Sequence, residues 1–137
     1  MTTRVPLDFG EIAKRCPMCG HSWPTLDEVL DDPAVILVGY QVNFVALELG
    51  LILFNHETCG TTFSLEAGRL RHLHDGPVWK ERRTGLDDCE GHCLSRAVLD
   101  LCGAHCECAW VREVLEQVRR RHARARASAG GAERAAA

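Results

Sequence analysis

The chain has 137 residues, a formal net charge of -3, 26% charged and 46% hydrophobic residues. That length fits one ordinary domain or two small ones, and that balance excludes a disordered chain or one built of membrane spans. Aromatic residues make up only 6%, so the expected core is aliphatic and modest, and a metal or disulfide contribution to folding is called for.

Met1 to Phe9 contains no apolar core of a secretory signal. The longest apolar stretch, Ala34 to Phe54, is interrupted by Gly39, Gln41, Asn43, Glu48 and Gly50, which does not suit a bilayer. A cytoplasmic protein with reduced thiols is therefore expected. Clustered cysteines in that setting read as metal ligands or redox groups before permanent disulfides.

The first of two cysteine groups begins with Cys16-Pro17-Met18-Cys19-Gly20 and returns as His56-Glu57-Thr58-Cys59-Gly60. A Cys-x-x-Cys-Gly turn aims both sulfurs at one centre, with backbone N–H groups donating to them and glycine closing the turn. Between the two turns, Thr25-Leu26-Asp27-Glu28 has the form of a capping box and opens a short helix that must end before Pro33. Val35 to Phe44 and Leu49 to Asn55 read as paired strands leading into the second turn, and Thr61 to Leu65 as a third strand leaving it. Helical spacing of Val45, Leu49 and Ile52 makes a helix over Val42 to Leu49 the competing assignment.

Over Cys16 to Leu65 the Cys-Pro-x-Cys-Gly form resembles the knuckles of rubredoxin and zinc-ribbon proteins, with imidazole replacing one thiolate in the second knuckle. The helical insert from Thr25 to Asp32 departs from that pattern. A tetrahedral site of Cys16, Cys19, His56 and Cys59 suits Zn2+, with His21 as the spare ligand. The competing reading is two unrelated thiol pairs with His56 as a core residue.

Residues 69–86 are polar, carry Gly76-Pro77 and Gly85, and read as a connector onto which Val78 and Trp79 fold back. The second group follows as Cys89, Cys93, Cys102 and Cys106, with Cys108 as a surplus or alternative ligand. The two i, i+4 spacings predict pairs on helical turns, and the echoed forms Cys89-x-x-His92-Cys93 and Cys102-x-x-His105-Cys106 suggest two similar turns. Four thiolates fit a second Zn2+ or an iron–sulfur cluster, and His92 or His105 could substitute. The twin pairs also resemble the disulfide-stapled helical hairpins of small intermembrane-space chaperones, although their separation is short for that. No Cys-x-x-Cys-His haem motif is present.

Leu94, Ala97, Val98 and Leu101 predict a helix over Cys93 to Leu101, and Val111, Val114, Leu115 and Val118 a longer one from Glu107 to Arg124. Ser128 to Ala137 reads as a disordered tail. From Val111 onward seven arginines face three glutamates, so Arg119, Arg120, Arg121, Arg124 and Arg126 are candidates for nucleic-acid contact, or simply a solvated helix end. Asp31-Asp32 and Asp87-Asp88 read as caps and solvated turns.

The expected architecture is α+β: a zinc-ribbon-like β-hairpin domain over 1–68, a connector over 69–86, a cysteine-rich helical segment over 87–127 and a tail over 128–137. No phosphate loop, Gly-x-Ser-x-Gly elbow or His-Glu-x-x-His helix is present, so no catalytic residue is proposed from sequence. The expected function is a small metal-binding protein with a structural or regulatory role toward a protein partner. The alternatives are an iron–sulfur or thiol-based redox protein and a nucleic-acid-binding zinc ribbon.

Overall fold

A computed structural model describes residues 12–136, with side chains described to residue 129. It is a mixed α+β protein with two small antiparallel sheets and a carboxy-terminal helix. Strands β1 (Lys14–Arg15) and β2 (Ser22–Trp23) pair antiparallel across the first cysteine turn, Lys14 opposite Trp23 and Arg15 opposite Ser22. This small sheet was not anticipated, because two residues are too few to show an alternating pattern.

Helix α1 (Leu26–Leu30) starts where the capping box places it: the Thr25 side-chain oxygen accepts the Glu28 backbone N–H at 3.1 Å. It buries Val29 and Leu30 and stops ahead of Pro33. Strands β3 (Val35–Gln41), β4 (Leu51–His56) and β5 (Thr61–Glu66) follow in the sheet order β3-β4-β5. The strand assignments are thus met within a few residues. The competing helix over 42–49 is reduced to one 3-10 turn at Leu47–Leu49, where the side chain of Asn43 instead takes the N–H groups of Val45 and Ala46.

A 3-10 segment occupies Ala67–Leu73, inside what the sequence suggested was connector. Beyond it, Trp79 does fold back, stacking on the His105 ring with centroids 4.1 Å apart and planes 8° from parallel. The helix expected over Cys93 to Leu101 does not form. Only a 3-10 turn at His92–Leu94 is present, preceded by Gly91 at φ 81°, a conformation that no α-helix interior holds. The i, i+4 cysteine pairs therefore do not ride on helical turns.

Helix α2 runs Ala109–Ala136, so the tail expected to be disordered from 128 is helical through Ala136. Alanine, the strongest helix former, dominates that stretch and outweighs Gly130 and Gly131. Its buried stripe is Val111, Val114, Leu115, Val118 and His122, the periodicity expected of one apolar helix face. No helix among the described residues is long and apolar enough to cross a membrane.

The chain divides into two compact units that interleave along the sequence. Among the described residues one comprises 12–36, 55–63 and 121–136, the other 37–54 and 64–120. This differs from the serial division at residue 68 expected from the sequence, because a carboxy-terminal helical segment belongs with the first cysteine group. In the first unit Trp23, Val29, Leu30, Val35, Phe63 and His122 are buried; in the second, Tyr40, Ile52, Phe54, Leu65, Leu70, Trp110 and Leu115 are buried.

Candidate metal centre

The first unit brings the ligand atoms of Cys16, Cys19, His56 and Cys59 within 4.8 Å of one another. Two turns built on one hydrogen-bond frame deliver them. Gly20 N–H donates to the Cys16 carbonyl at 3.1 Å, and Gly60 N–H to the His56 carbonyl at 2.7 Å. Both glycines have positive φ, 79° and 78°, which an L side chain would resist. Each turn also lies between short paired strands, β1 with β2 and β4 with β5, so the sheets fix where the turns face.

Three of the six separations have the size a tetrahedral ion demands. With Zn–S of about 2.3 Å and Zn–N of about 2.0–2.1 Å, tetrahedral geometry sets sulfurs about 3.8 Å apart and sulfur from nitrogen about 3.5–3.6 Å. Cys16 Sγ to Cys59 Sγ is 3.6 Å, Cys19 Sγ to His56 Nδ1 is 3.6 Å, and Cys59 Sγ to His56 Nδ1 is 3.6 Å.

The electrostatics suit an anionic site. Burial disfavours the Cys16 thiolate, but the backbone N–H groups of Cys19 and Met18, with His56 and Cys59 beside it, outweigh that and hold its pKa down at about 6. At Cys59 the Thr61 N–H favours the thiolate, yet burial and the neighbouring thiols Cys16 and Cys19 leave it raised. The two thiols thus differ, Cys16 favouring the thiolate and Cys59 the thiol. A divalent cation would replace the remaining thiol protons.

Trp23 forms the wall of the site and was not singled out from the sequence. It is 2% exposed, meets His56 edge-on with ring centroids 5.0 Å apart, stacks on Phe63 at 5.0 Å and donates its indole N–H to Asp32 at 2.9 Å. A tryptophan four residues past the second cysteine of a knuckle, in a chain poor in aromatics, was the available signal. His21, the spare ligand, lies 4.8 Å from the Trp23 ring and 5.7 Å from that of His56, outside the four-atom cluster.

In the second unit Cys93, Cys106 and Cys108 are buried together with Ala104, and Cys102 packs against them beside Val42, Phe44 and Leu47. Cys108 Sγ lies 3.1 Å from Cys93 and 3.4 Å from Cys106. Cys108, expected as the surplus thiol, is therefore the middle of the chain of sulfurs. Cys89 lies outside that buried group and accepts the Gly91 N–H at 3.4 Å. His92 is engaged with Glu90 at 2.9 Å, and His105 is stacked on Trp79.

Arg112 was also missed. It is fully buried, donates to the Val98 carbonyl at 2.6 Å and lies over the Tyr40 ring. The hydrogen bond between the Cys93 and Cys108 sulfurs, and then Arg112 beside Cys93, hold Cys93 down at about 6 against burial, while the same contact and burial push Cys108 up. Cys106 is lowered: burial opposes its thiolate, but the N–H groups of Cys108 and Arg83 prevail. Burial raises Cys102.

Most of the arginines considered for nucleic acid are engaged on the protein. Arg121 pairs with Asp31 at 2.7 Å and Asp27 at 3.0 Å, Arg126 with Glu57 at 3.1 Å and Arg120 with Glu116 at 3.1 Å. Arg119 reaches Glu116 at 3.9 Å and the Leu99 carbonyl at 3.4 Å. Arg124 is exposed. Of the acidic pairs expected to cap or be solvated, Asp88 pairs with Arg83 and Asp32 takes the Ala34 N–H, but Asp31 instead makes the distant ion pair with Arg121.

No family model, curated protein or solved structure matches the chain.

Proposed function

We propose that this protein is a metal-dependent structural module whose first unit is held together by one Zn2+ on Cys16, Cys19, His56 and Cys59. The observation that carries the reading is the set of three 3.6 Å ligand separations, which match the edges of a zinc tetrahedron. Four protein ligands close the coordination shell, the arrangement of structural rather than catalytic zinc, which keeps a position open for water. Reduced thiolates suit a cytoplasmic setting. The chemistry of the donor set, three soft sulfurs and one imidazole, favours Zn2+ over oxygen-loving Mg2+ or Ca2+.

A structural ion of this kind contributes on the order of 10 kcal/mol to folding, and the first unit has few large apolar side chains to do without it. Metal analysis and thermal unfolding of the full chain, with and without chelator, test the reading. Cys59→Ser is expected to release one zinc per chain and to lower the melting temperature as far as chelation does. Unchanged zinc content and melting would overturn it.

A further inference from the structure

Outside the Cys3His group, the densest chemistry of the molecule is the buried sulfur chain of the second unit. Cys93, Cys108 and Cys106 are in contact at 3.1 and 3.4 Å, and Cys102 packs on the same cluster. Backbone N–H groups are aimed at these sulfurs. Arg83 N–H donates to Cys106 at 3.1 Å, Cys108 N–H donates to Cys106, and Ala104 N–H to Cys102. Donation from residue i+2 to sulfur i is also how Met18 serves Cys16 and Thr61 serves Cys59 in the first unit. N–H donors favour thiolate over thiol, so ordinary apolar core cysteines have no need of them.

The second observation is charge. Arg112 is fully buried beside Cys93, and a buried guanidinium is tolerated only next to compensating negative charge. Thiolates supply it. Four of them on a divalent ion carry a net charge of about -2, which Arg112 partly offsets.

We propose that Cys93, Cys102, Cys106 and Cys108 form a second, independent four-thiolate site for a single thiophilic divalent cation of the Zn2+ class, with Cys89 outside the set. Cys108, in contact with both Cys93 and Cys106, leaves no space between those sulfurs for the inorganic sulfide that an iron–sulfur cluster interposes between its ligands. Among the described residues only the Cys3His group has its ligand atoms all within 4.8 Å of one another, so seating the second ion must draw Cys93, Cys102 and Cys106 together around Cys108 to the tetrahedral spacing of about 3.8 Å. Seating the ion expels the remaining thiol protons to water; nothing is oxidised.

The test uses the full chain, stripped of metal under reductant and titrated with Co2+ alone, read by thiolate-to-cobalt absorbance. Two equivalents are expected for the wild type, and one for Cys59→Ser, with the thiolate band of the second unit intact. A wild type that takes one equivalent, abolished by Cys59→Ser, overturns the second site and leaves the first standing. One equivalent that survives Cys59→Ser does the reverse. Because Cys106→Ser could fail to fold, alkylation of the wild type is the companion measurement: Cys93, Cys102, Cys106 and Cys108 should be shielded with Co2+ bound and labelled after chelation, and Cys89 labelled in both. Labelling of Cys108 that ignores the metal, shielding of Cys89 in place of Cys102, or a Cys93–Cys108 disulfide in protein purified without oxygen would each overturn the assignment.

Discussion

The Trp23 indole is fixed at both ends: its N–H donates to Asp32 at 2.9 Å while its ring lies edge-on to His56, centroids 5.0 Å apart. It therefore couples the start of the strand segment to the orientation of a candidate metal ligand. Trp23→Phe keeps the ring and removes the donor, and is expected to cost about 1–3 kcal/mol, the value of a hydrogen bond to a charged group. Trp23→Ala empties a buried site and should cost about 3–5 kcal/mol. If His56 depends on this wall, zinc affinity falls about 10–100-fold with Trp23→Ala. Chemical denaturation and competition with a chromogenic chelator read the two effects; equal stability of both variants would remove the wall's structural role.

How much of this site was legible follows from the range of the signals. Both knuckles could be read, because each compresses ligands and turn glycine into five consecutive residues, and Thr25 with Glu28 announced α1 in the same local way. The pairing of Cys16 with Cys59 required only that two such turns share a centre. The second cysteine group could not be read. Its i, i+4 spacing implies helix, but Gly91 at φ 81° turns the chain elsewhere, and tertiary packing then places Cys108 between Cys93 and Cys106, a position its spacing does not announce. Trp23 and Arg112 act through contacts many residues away, and a single sequence carries no periodicity for such contacts. The carboxy-terminal helix was cut short for another reason: Ala-rich sequence without apolar periodicity reads as disorder, although its residues are strong helix formers.

Arg121 provides a second test, of what the arginine-rich helix is for. Its guanidinium takes both Asp31 oxygens, at 3.1 and 2.7 Å, and Asp27 at 3.0 Å. The arginine side chain is 19% exposed but the aspartates are 57% and 69% exposed, so solvent screens the pairs. A double-mutant cycle of Arg121→Ala with Asp31→Ala should give a coupling of about 1 kcal/mol or less, shrinking as salt is raised. The same Arg121→Ala protein should elute from heparin as the wild type does. Earlier elution at low salt would make the helix a polyanion-binding face instead.

Tyr40 tests a cost rather than a gain. Its hydroxyl is buried with no hydrogen-bond partner among the described residues, and burial raises its pKa, with the nearby thiols Cys93 and Cys108 adding to the effect. An unsatisfied buried hydroxyl costs about 1–3 kcal/mol. Tyr40→Phe should therefore be neutral or stabilising by about 1 kcal/mol, with unchanged metal content. A clear destabilisation would mean that the hydroxyl has a partner, such as an ordered water.

His122 sets the acid limit of the first unit. It is 5% exposed, and burial lowers its pKa to about 4, with the Val29 backbone, Asp31 and Asp32 pulling the other way and Arg121 adding to the depression. The fold thus holds the ring neutral, while the unfolded chain takes up a proton as pH falls through about 6.5. More protons bound in the unfolded state means that stability is lost as pH falls. The loss runs from about pH 6.5 to about pH 4, where the folded form also protonates, and amounts to about 3 kcal/mol at most. Metal affinity at cysteine and histidine ligands also depends on pH, so the wild type is compared with His122→Leu, which carries the same ligands. The two stability curves should lie parallel above pH 7 and converge or cross as pH falls toward 4, the wild type losing more. Parallel curves over the whole range would show that His122 binds protons alike in the folded and unfolded chains.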